Sequence, residues 1–166
     1  TRRLRIIKYR GTTHGTNEYP FLIDEGGIYV LPITSVGLTH KALNERISSG
    51  IPRLDTMLGG EGYFRGSSIL ITGTAGTGKT SLAACFADSV CARGERCLYL
   101  AFEESESQIV RNMRSIGVDL DPWLDKGLLR LHATRATVFG LEMRLVNMNR
   151  MVTGFNPSVV IMDPIS

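Results

Sequence analysis

Long apolar runs are missing from this sequence. Stretches such as Ser67–Ile71 and Val159–Met162 fall far short of the about 18 to 20 residues a membrane-spanning helix needs, so no span is expected. The basic start, Thr1-Arg2-Arg3-Leu4-Arg5, leads into no long apolar region with a small-residue cleavage site, and no signal peptide is expected there. Cysteine is scarce. Cys85, Cys91 and Cys97 cannot all pair with one another and lack zinc-site spacing. They are expected to be reduced, buried thiols of a cytoplasmic protein. A large charge imbalance is missing too: 19 Lys and Arg against 16 Asp and Glu leave a net +3. With 43% hydrophobic residues, disorder throughout is excluded. The length, 166 residues, suits one domain.

Five basic residues, Arg2, Arg3, Arg5, Lys8 and Arg10, crowd the first ten positions. The cluster is open to two readings, a solvated strand face or a patch that holds phosphate. No basic groove interleaved with aromatics follows it, so nucleic acid is not the expected partner.

The pattern divides the chain in two. Over residues 1–40, short strand-like runs (Leu4–Tyr9, Tyr19–Ile23, Ile28–Ile33) alternate with turns, among them Asp24-Glu25-Gly26-Gly27. This is a small β meander, too small to bury a core of its own, and Thr34–Asn44 reads as a connector. Beyond it, strands alternate with helices. Strands are expected at Ser68–Thr72, Arg96–Phe102, Leu128–His132 and Ser158–Met162, and helices at Lys79–Arg93, Ser105–Ile116 and Val138–Thr153. Gly94, Gly117 and Gly154 are placed as helix stops. Ser105 and Gln108 have the spacing of a capping box. Leu141, Leu145, Met148 and Met151 repeat at helical spacing and are read as core. Trp123, after Asp121-Pro122, is read as a packing anchor in a turn, and His132 as a structural histidine. Arg111 and Arg114, three apart on one helix, are read as surface charges. The alternation implies right-handed crossovers and a parallel sheet covered on both faces.

The chemistry concentrates at the ends of those strands. Gly73-Thr74-Ala75-Gly76-Thr77-Gly78-Lys79-Thr80 fits the phosphate-loop pattern G-x-x-x-x-G-K-[ST], between an expected strand and an expected helix. Its glycines let successive backbone N–H groups point inward, and the helix that follows adds its positive dipole end. Lys79 supplies a mobile charge to the β and γ phosphates, and Thr80 a hydroxyl to Mg²⁺. Val159-Val160-Ile161-Met162-Asp163 has the form of a strand whose terminal Asp supports the metal's water shell. Glu103-Glu104 follows a strand at the edge where parallel sheets bind ligands. One carboxylate can polarise an attacking water while the other orients it or reaches the metal. The competing reading is a pair of acids that favours the next helix's dipole.

Together these elements resemble the KaiC family of double-domain RecA-type ATPases. The resemblance covers essentially the whole chain. Its specific pieces are Arg46–Asp55, the phosphate loop, Phe102–Ser105, Gln108–Asn112 and Val160–Asp163, with Lys8–His14 and Glu18–Phe21 similar to the closing β segment of the family's first domain. It implies an α/β fold: a partial RecA-type P-loop NTPase, its parallel sheet flanked by helices, preceded by a small β segment. Residues 1–40 would close a first ATPase domain and form the linker, and 41–166 would be the N-terminal part of a second. An excerpt of a longer protein is therefore expected.

The family assembles hexameric double rings with ATP between subunits. The resemblance implies that Lys8, Tyr9, Arg10, Thr12 and His14, with Asp24 and Glu25, reach the nucleotide of a neighbouring subunit. Gly73 and Ala75, Gly76, Thr77, Gly78, Lys79, Thr80 and Ser81, with Asp163, would hold the chain's own nucleotide. Thr80 and Glu103 would touch Mg²⁺, and Glu103 and Glu104 would be the catalytic pair. It also implies a homohexamer, serine/threonine autokinase activity at sites downstream of Asp163, and KaiA/KaiB-like or signalling partners in circadian rhythm. Two other functions stay open: a DNA-acting RecA-type motor, and a nucleotide-gated scaffold with vestigial catalysis.

Overall fold

The computed structural model describes residues 2–24, 27–30, 43–135 and 141–165. The expected connector falls largely outside them, as do Glu25, Gly26 and the first residues of the helix expected from Val138. The described chain divides into two compact units, one of residues 1–40 and 137–154, the other of residues 41–136 and 155–166.

In the first unit, β1 (Arg3–Arg5), β2 (Glu18–Asp24) and β3 (Gly27–Val30) form an antiparallel sheet in that order. Leu4 pairs with Tyr19, and Leu22 with Tyr29. The strand expected over Leu4–Tyr9 is thus much shorter, and Ile7 is 90% exposed. The helix Leu141–Phe155 belongs almost wholly to this unit, and the Tyr29 hydroxyl donates to Asn149 Oδ1 at 2.7 Å. Its buried residues, among those whose side chains are described, are Val146 and Phe155, while Leu145 is exposed and Met148 and Met151 are half-buried. Of the stripe read in the sequence, Leu145 is thus not core, and the side chain of Leu141 lies outside the described residues.

The second unit opens with a hairpin, β4 (Arg46–Ile47) against β5 (Tyr63–Phe64), enclosing the short helix α1 (Pro52–Met57). The helix α2 (Lys79–Ala92) follows the phosphate loop. Then come β6 (Cys97–Ala101), α3 (Glu106–Ser115), α4 (Asp121–Asp125), β7 (Leu129–Ala133) and β8 (Val159–Asp163), the last beyond the helix already described, which is α5. The parallel sheet has the order β7-β6-β8, with Cys97 paired to both Leu129 and Val159. All five residues of β6 are buried, as a central strand covered on both faces requires. Cys97, Tyr99 and Ala101 pack with Ala84, Ala87, Val90 and Cys91 of α2, and with Ile109, Met113 and Leu120.

Local chemistry sets the boundaries. Ser105 Oγ accepts from Gln108 N–H and Gln108 Oε1 accepts from Ser105 N–H, the capping box the spacing implied. Gly94 and Gly117 take the positive φ that ends α2 and α3. Trp123 lies in α4 rather than a turn, packs on the core and donates its indole N–H to Asp88 at 2.6 Å. His132 lies in β7 but is exposed. Arg114 pairs with Asp119 and Asp121 at the surface. The three thiols are unpaired, and burial pushes Cys91 up to about 11.

One expected strand does not form. Ser68–Thr72 has no ladder partner among the described residues, and Ile69, Leu70 and Ile71 are 44%, 74% and 38% exposed. A run of β-branched and apolar residues becomes a strand only when a neighbour takes its backbone N–H and C=O groups.

Candidate functional site

The phosphate loop begins at Gly73, where an added Cβ would lie 2.7 Å from Thr77 Oγ1. Thr77 Oγ1 donates to Thr74 O at 2.9 Å and closes the turn. Gly76 and Gly78 have φ of +81° and +85°, which side-chain-bearing residues adopt at a cost. Gly78 is the N-cap of α2 and has no side chain to cap it. The N-terminus of α2 is therefore left without a side-chain cap from that residue. Lys79 folds back over the loop, its Nζ donating to Gly73 O and Thr74 O at 2.8 Å each. Those carbonyls hold the ammonium over the loop.

A small open cleft lies beside the first turn of α2. Thr80, Ala101, Glu103, Glu104, Ile109, Asp163 and Pro164 line it. Parallel register explains the convergence: Ala101 at the end of β6 pairs with Asp163 at the end of β8. The chain leaving β6 carries Glu103 and Glu104 over the same edge. The sequence-expected Thr80, Glu103, Glu104 and Asp163 thus meet in one place, although they lie 83 positions apart at the extremes (163 − 80).

Two neutral side chains reach these carboxylates. The Tyr99 hydroxyl donates to Asp163 Oδ2 at 2.7 Å. Asn112 Nδ2 donates to Glu104 Oε2 at 3.4 Å, and Asn112 Oδ1 accepts from Arg111. Burial, and then the bond to Asp163, push the Tyr99 phenol far above its ordinary value, so it stays a donor. Sequence reasoning gave neither residue a site role. The signal for Tyr99 was present: a hydroxyl inside an all-buried strand must find a partner.

The remaining expected residues are placed as follows. Ala75 and Thr77 are exposed on the loop, and Ser81 is half-buried in the first turn of α2. Lys8, Tyr9, Arg10, Thr12 and His14 lie after β1 in the first unit, exposed except for half-buried His14, and none lines the cleft. The side chain of Asp24 and all of Glu25 fall outside the described residues.

Residues 47–166 match the family described as "ATPase: KaiC". The chain belongs to the KaiC ATPase family. Its sheet and flanking helices are accordingly the RecA-type α/β fold of that family. It is 61% identical over 166 residues to the circadian clock protein KaiC2 of Synechocystis sp. (strain ATCC 27184 / PCC 6803 / Kazusa), covering all of this chain and 29% of that relative. It is 44% identical over 165 residues to the circadian clock oscillator protein KaiC of Parathermosynechococcus lividus, covering 99% of this chain and 30% of the relative. With the KaiC of Acaryochloris marina (strain MBIC 11017) the identity is 42%, over 99% and 31%. The chain thus spans under a third of the length of these KaiC relatives. Among the described residues no helix is long and apolar enough to cross a membrane.

Proposed function

We propose that the cleft binds ATP with Mg²⁺ and hydrolyses its terminal phosphoanhydride, as one site of a KaiC-family ATPase. The observation that carries this reading is the convergence of Thr80, Glu103, Glu104 and Asp163 beside the phosphate loop. The donor set suits the metal: a hydroxyl and carboxylates are hard oxygen ligands of the kind Mg²⁺ takes, directly or through water. Thr80 and Glu103 would hold it, with Asp163 supporting its water shell. When bound, Mg²⁺ supplies charge compensation for the phosphate oxygens.

The chain's own groups do the rest. The N–H groups at Gly76, Gly78 and Lys79 cradle the phosphates, and Lys79 exchanges its two carbonyl bonds for phosphate oxygens. Glu103 or Glu104 accepts a proton from the attacking water. The bond to the γ phosphorus breaks on the opposite side and ADP leaves. Asn112 holds Glu104 during this step. In the wider protein, the proposal includes homohexamer assembly, with Lys8, Tyr9, Arg10, Thr12 and His14 turned toward a neighbour's nucleotide. It also includes serine/threonine autophosphorylation, KaiA/KaiB-like or signalling partners, a cytoplasmic location and a role in circadian timing or related signalling. The names of the relatives as circadian clock proteins support that setting.

The test is made on the full-length protein. Lys79→Ala should weaken Mg-ATP binding by about 100-fold, the worth of charge-assisted contacts to phosphate. Glu103→Gln with Glu104→Gln should keep binding and lower turnover by at least about 100-fold. Undiminished turnover in the double variant would remove the catalytic assignment.

A further inference from the structure

We propose that Tyr99 is a positioning residue for Asp163, fixing the carboxylate on which the magnesium-nucleotide site depends. The inference rests on the reading of the cleft as that site. Tyr99 stands in the middle of β6, is fully buried and packs within the core against α2. An aliphatic residue there would fill the same space without a hydroxyl to satisfy. The hydroxyl reaches Asp163 Oδ2 at 2.7 Å, a short bond to a charged acceptor.

The register makes the contact directional. Tyr99 pairs with Ile161, and Asp163 pairs with Ala101 two residues further on. The ring therefore leans along the sheet toward the ligand edge, anchored at its base by the core and engaged at its tip by the carboxylate. Oδ2 accepts the phenol's hydrogen bond, which fixes the orientation of the carboxylate that lines the cleft. The ring shares its buried cluster with Ala84, Ala87 and Val90 of α2, the helix that carries Thr80, so the phenol links the site's carboxylate to that core. Outer contacts that orient a metal's ligands usually change metal affinity when removed.

Tyr99→Phe in the full-length protein removes the hydroxyl and keeps the ring. ATP binding without metal should stay at the unmodified level, while the Mg²⁺ concentration giving half-maximal tightening of ATP binding rises about 10-fold. The same substitution in an Asp163→Asn background should add no further change, because it acts through that carboxylate. Tyr99→Leu, which fills the core without a hydroxyl, should repeat the result and keeps the test open if the Phe variant misfolds. A variant that loses thermal stability without nucleotide yet keeps the normal Mg²⁺ midpoint overturns the assignment and leaves a merely structural residue. An equal effect in the Asp163→Asn background also overturns it. Absence of Mg²⁺-dependent ATP binding in the unmodified protein overturns the site reading and this assignment together.

Discussion

Replacing Asp55 by Ala should destabilise the protein by about 2–4 kcal/mol, far more than a half-buried surface carboxylate ordinarily would. Asp55 lies in α1, seven residues after Ser48, within the Ser-Ser-Gly-Ile-Pro-Arg-Leu-Asp segment. Its Oδ2 accepts from Ser48 Oγ at 2.6 Å, and its Oδ1 accepts from Ser49 N–H at 2.9 Å and Ser49 Oγ at 2.6 Å. Ser49 is 1% exposed. Removing the acceptor strands a buried N–H, and a buried unpaired donor costs about 1–3 kcal/mol. The hydroxyls recover part of their loss through the Ile51 carbonyl and through water at the half-buried end, which sets the upper bound.

The loop so held matters beyond itself. The Ser48 carbonyl accepts from Ser89 Oγ at 3.4 Å, and Gly50, at φ +82°, comes so close that a Cβ would lie 2.4 Å from the Cys85 carbonyl. The loop braces the back of α2, whose other end is the phosphate loop. Urea unfolding of the two proteins checks the magnitude. Acid supplies a second check. Burial works against the charge on Asp55, but the bonds from Ser48 and Ser49 outweigh it and hold the carboxyl below its ordinary 3.8. The stability it gives is complete above that value and lost as pH falls through the lower folded one. Asp55→Ala should lack that portion of the acid sensitivity. A loss under about 0.5 kcal/mol, the range of neutral surface changes, would refute the bracing argument.

Two other perturbations separate charge from backbone strain. Arg65 grips Glu95 with two bonds of 2.8 and 3.0 Å, and Arg93 adds a third at 3.1 Å. Arg65 and then Arg93 outweigh burial and hold the Glu95 carboxyl at about 2 against an ordinary 4.5. Its contribution, about 1–3 kcal/mol, should be full above pH 4.5 and disappear on acidification toward pH 2, and Glu95→Gln should flatten unfolding midpoints across that window. Gly78→Ala places a Cβ in open space but at φ +85°, so the cost is backbone strain alone. Stability should fall by about 1–2 kcal/mol and ATP affinity with it as the loop relaxes, read by calorimetry of binding and of unfolding.

The parts of the fold legible in the sequence are those where a local rule and the tertiary structure agree. Ser105 and Gln108 close a capping box because that bond lies within one turn. Gly94 and Gly117 end helices because positive φ is a property of the residue. Glu103, Glu104 and Asp163 meet because the parallel strands β6 and β8 end at one edge, beside the first turn of α2 that carries Thr80. The misreadings have the opposite origin. Ser68–Thr72 holds an apolar run, Ile69-Leu70-Ile71, but periodicity describes a segment and says nothing of the neighbour that would pair with it. In α5 Leu145 is exposed and its neighbour Val146 buried, because a helix with apolar residues on several sides leaves the choice to packing. The β4–β5 hairpin went unread because strands of two residues are held by their surroundings: Arg46 stacks over Phe64 at 3.9 Å and bonds the carbonyls of Leu58 and Gly62.

The same distinction applies inside the site. A phosphate-loop pattern, an acidic pair and a strand-terminal Asp name the groups that would meet a nucleotide, because their chemistry lies in residue type and short spacing. What orients them is set by contacts between elements distant in sequence. Tyr99 reaches Asp163 across 64 positions. Tyr99 belongs to none of the patterns that identify the site. A chain with identical motifs but an aliphatic residue at position 99 would present the same cleft with Asp163 freed from the core. The motifs therefore fix which chemistry is available, and the buried polar contacts decide how rigidly it is held.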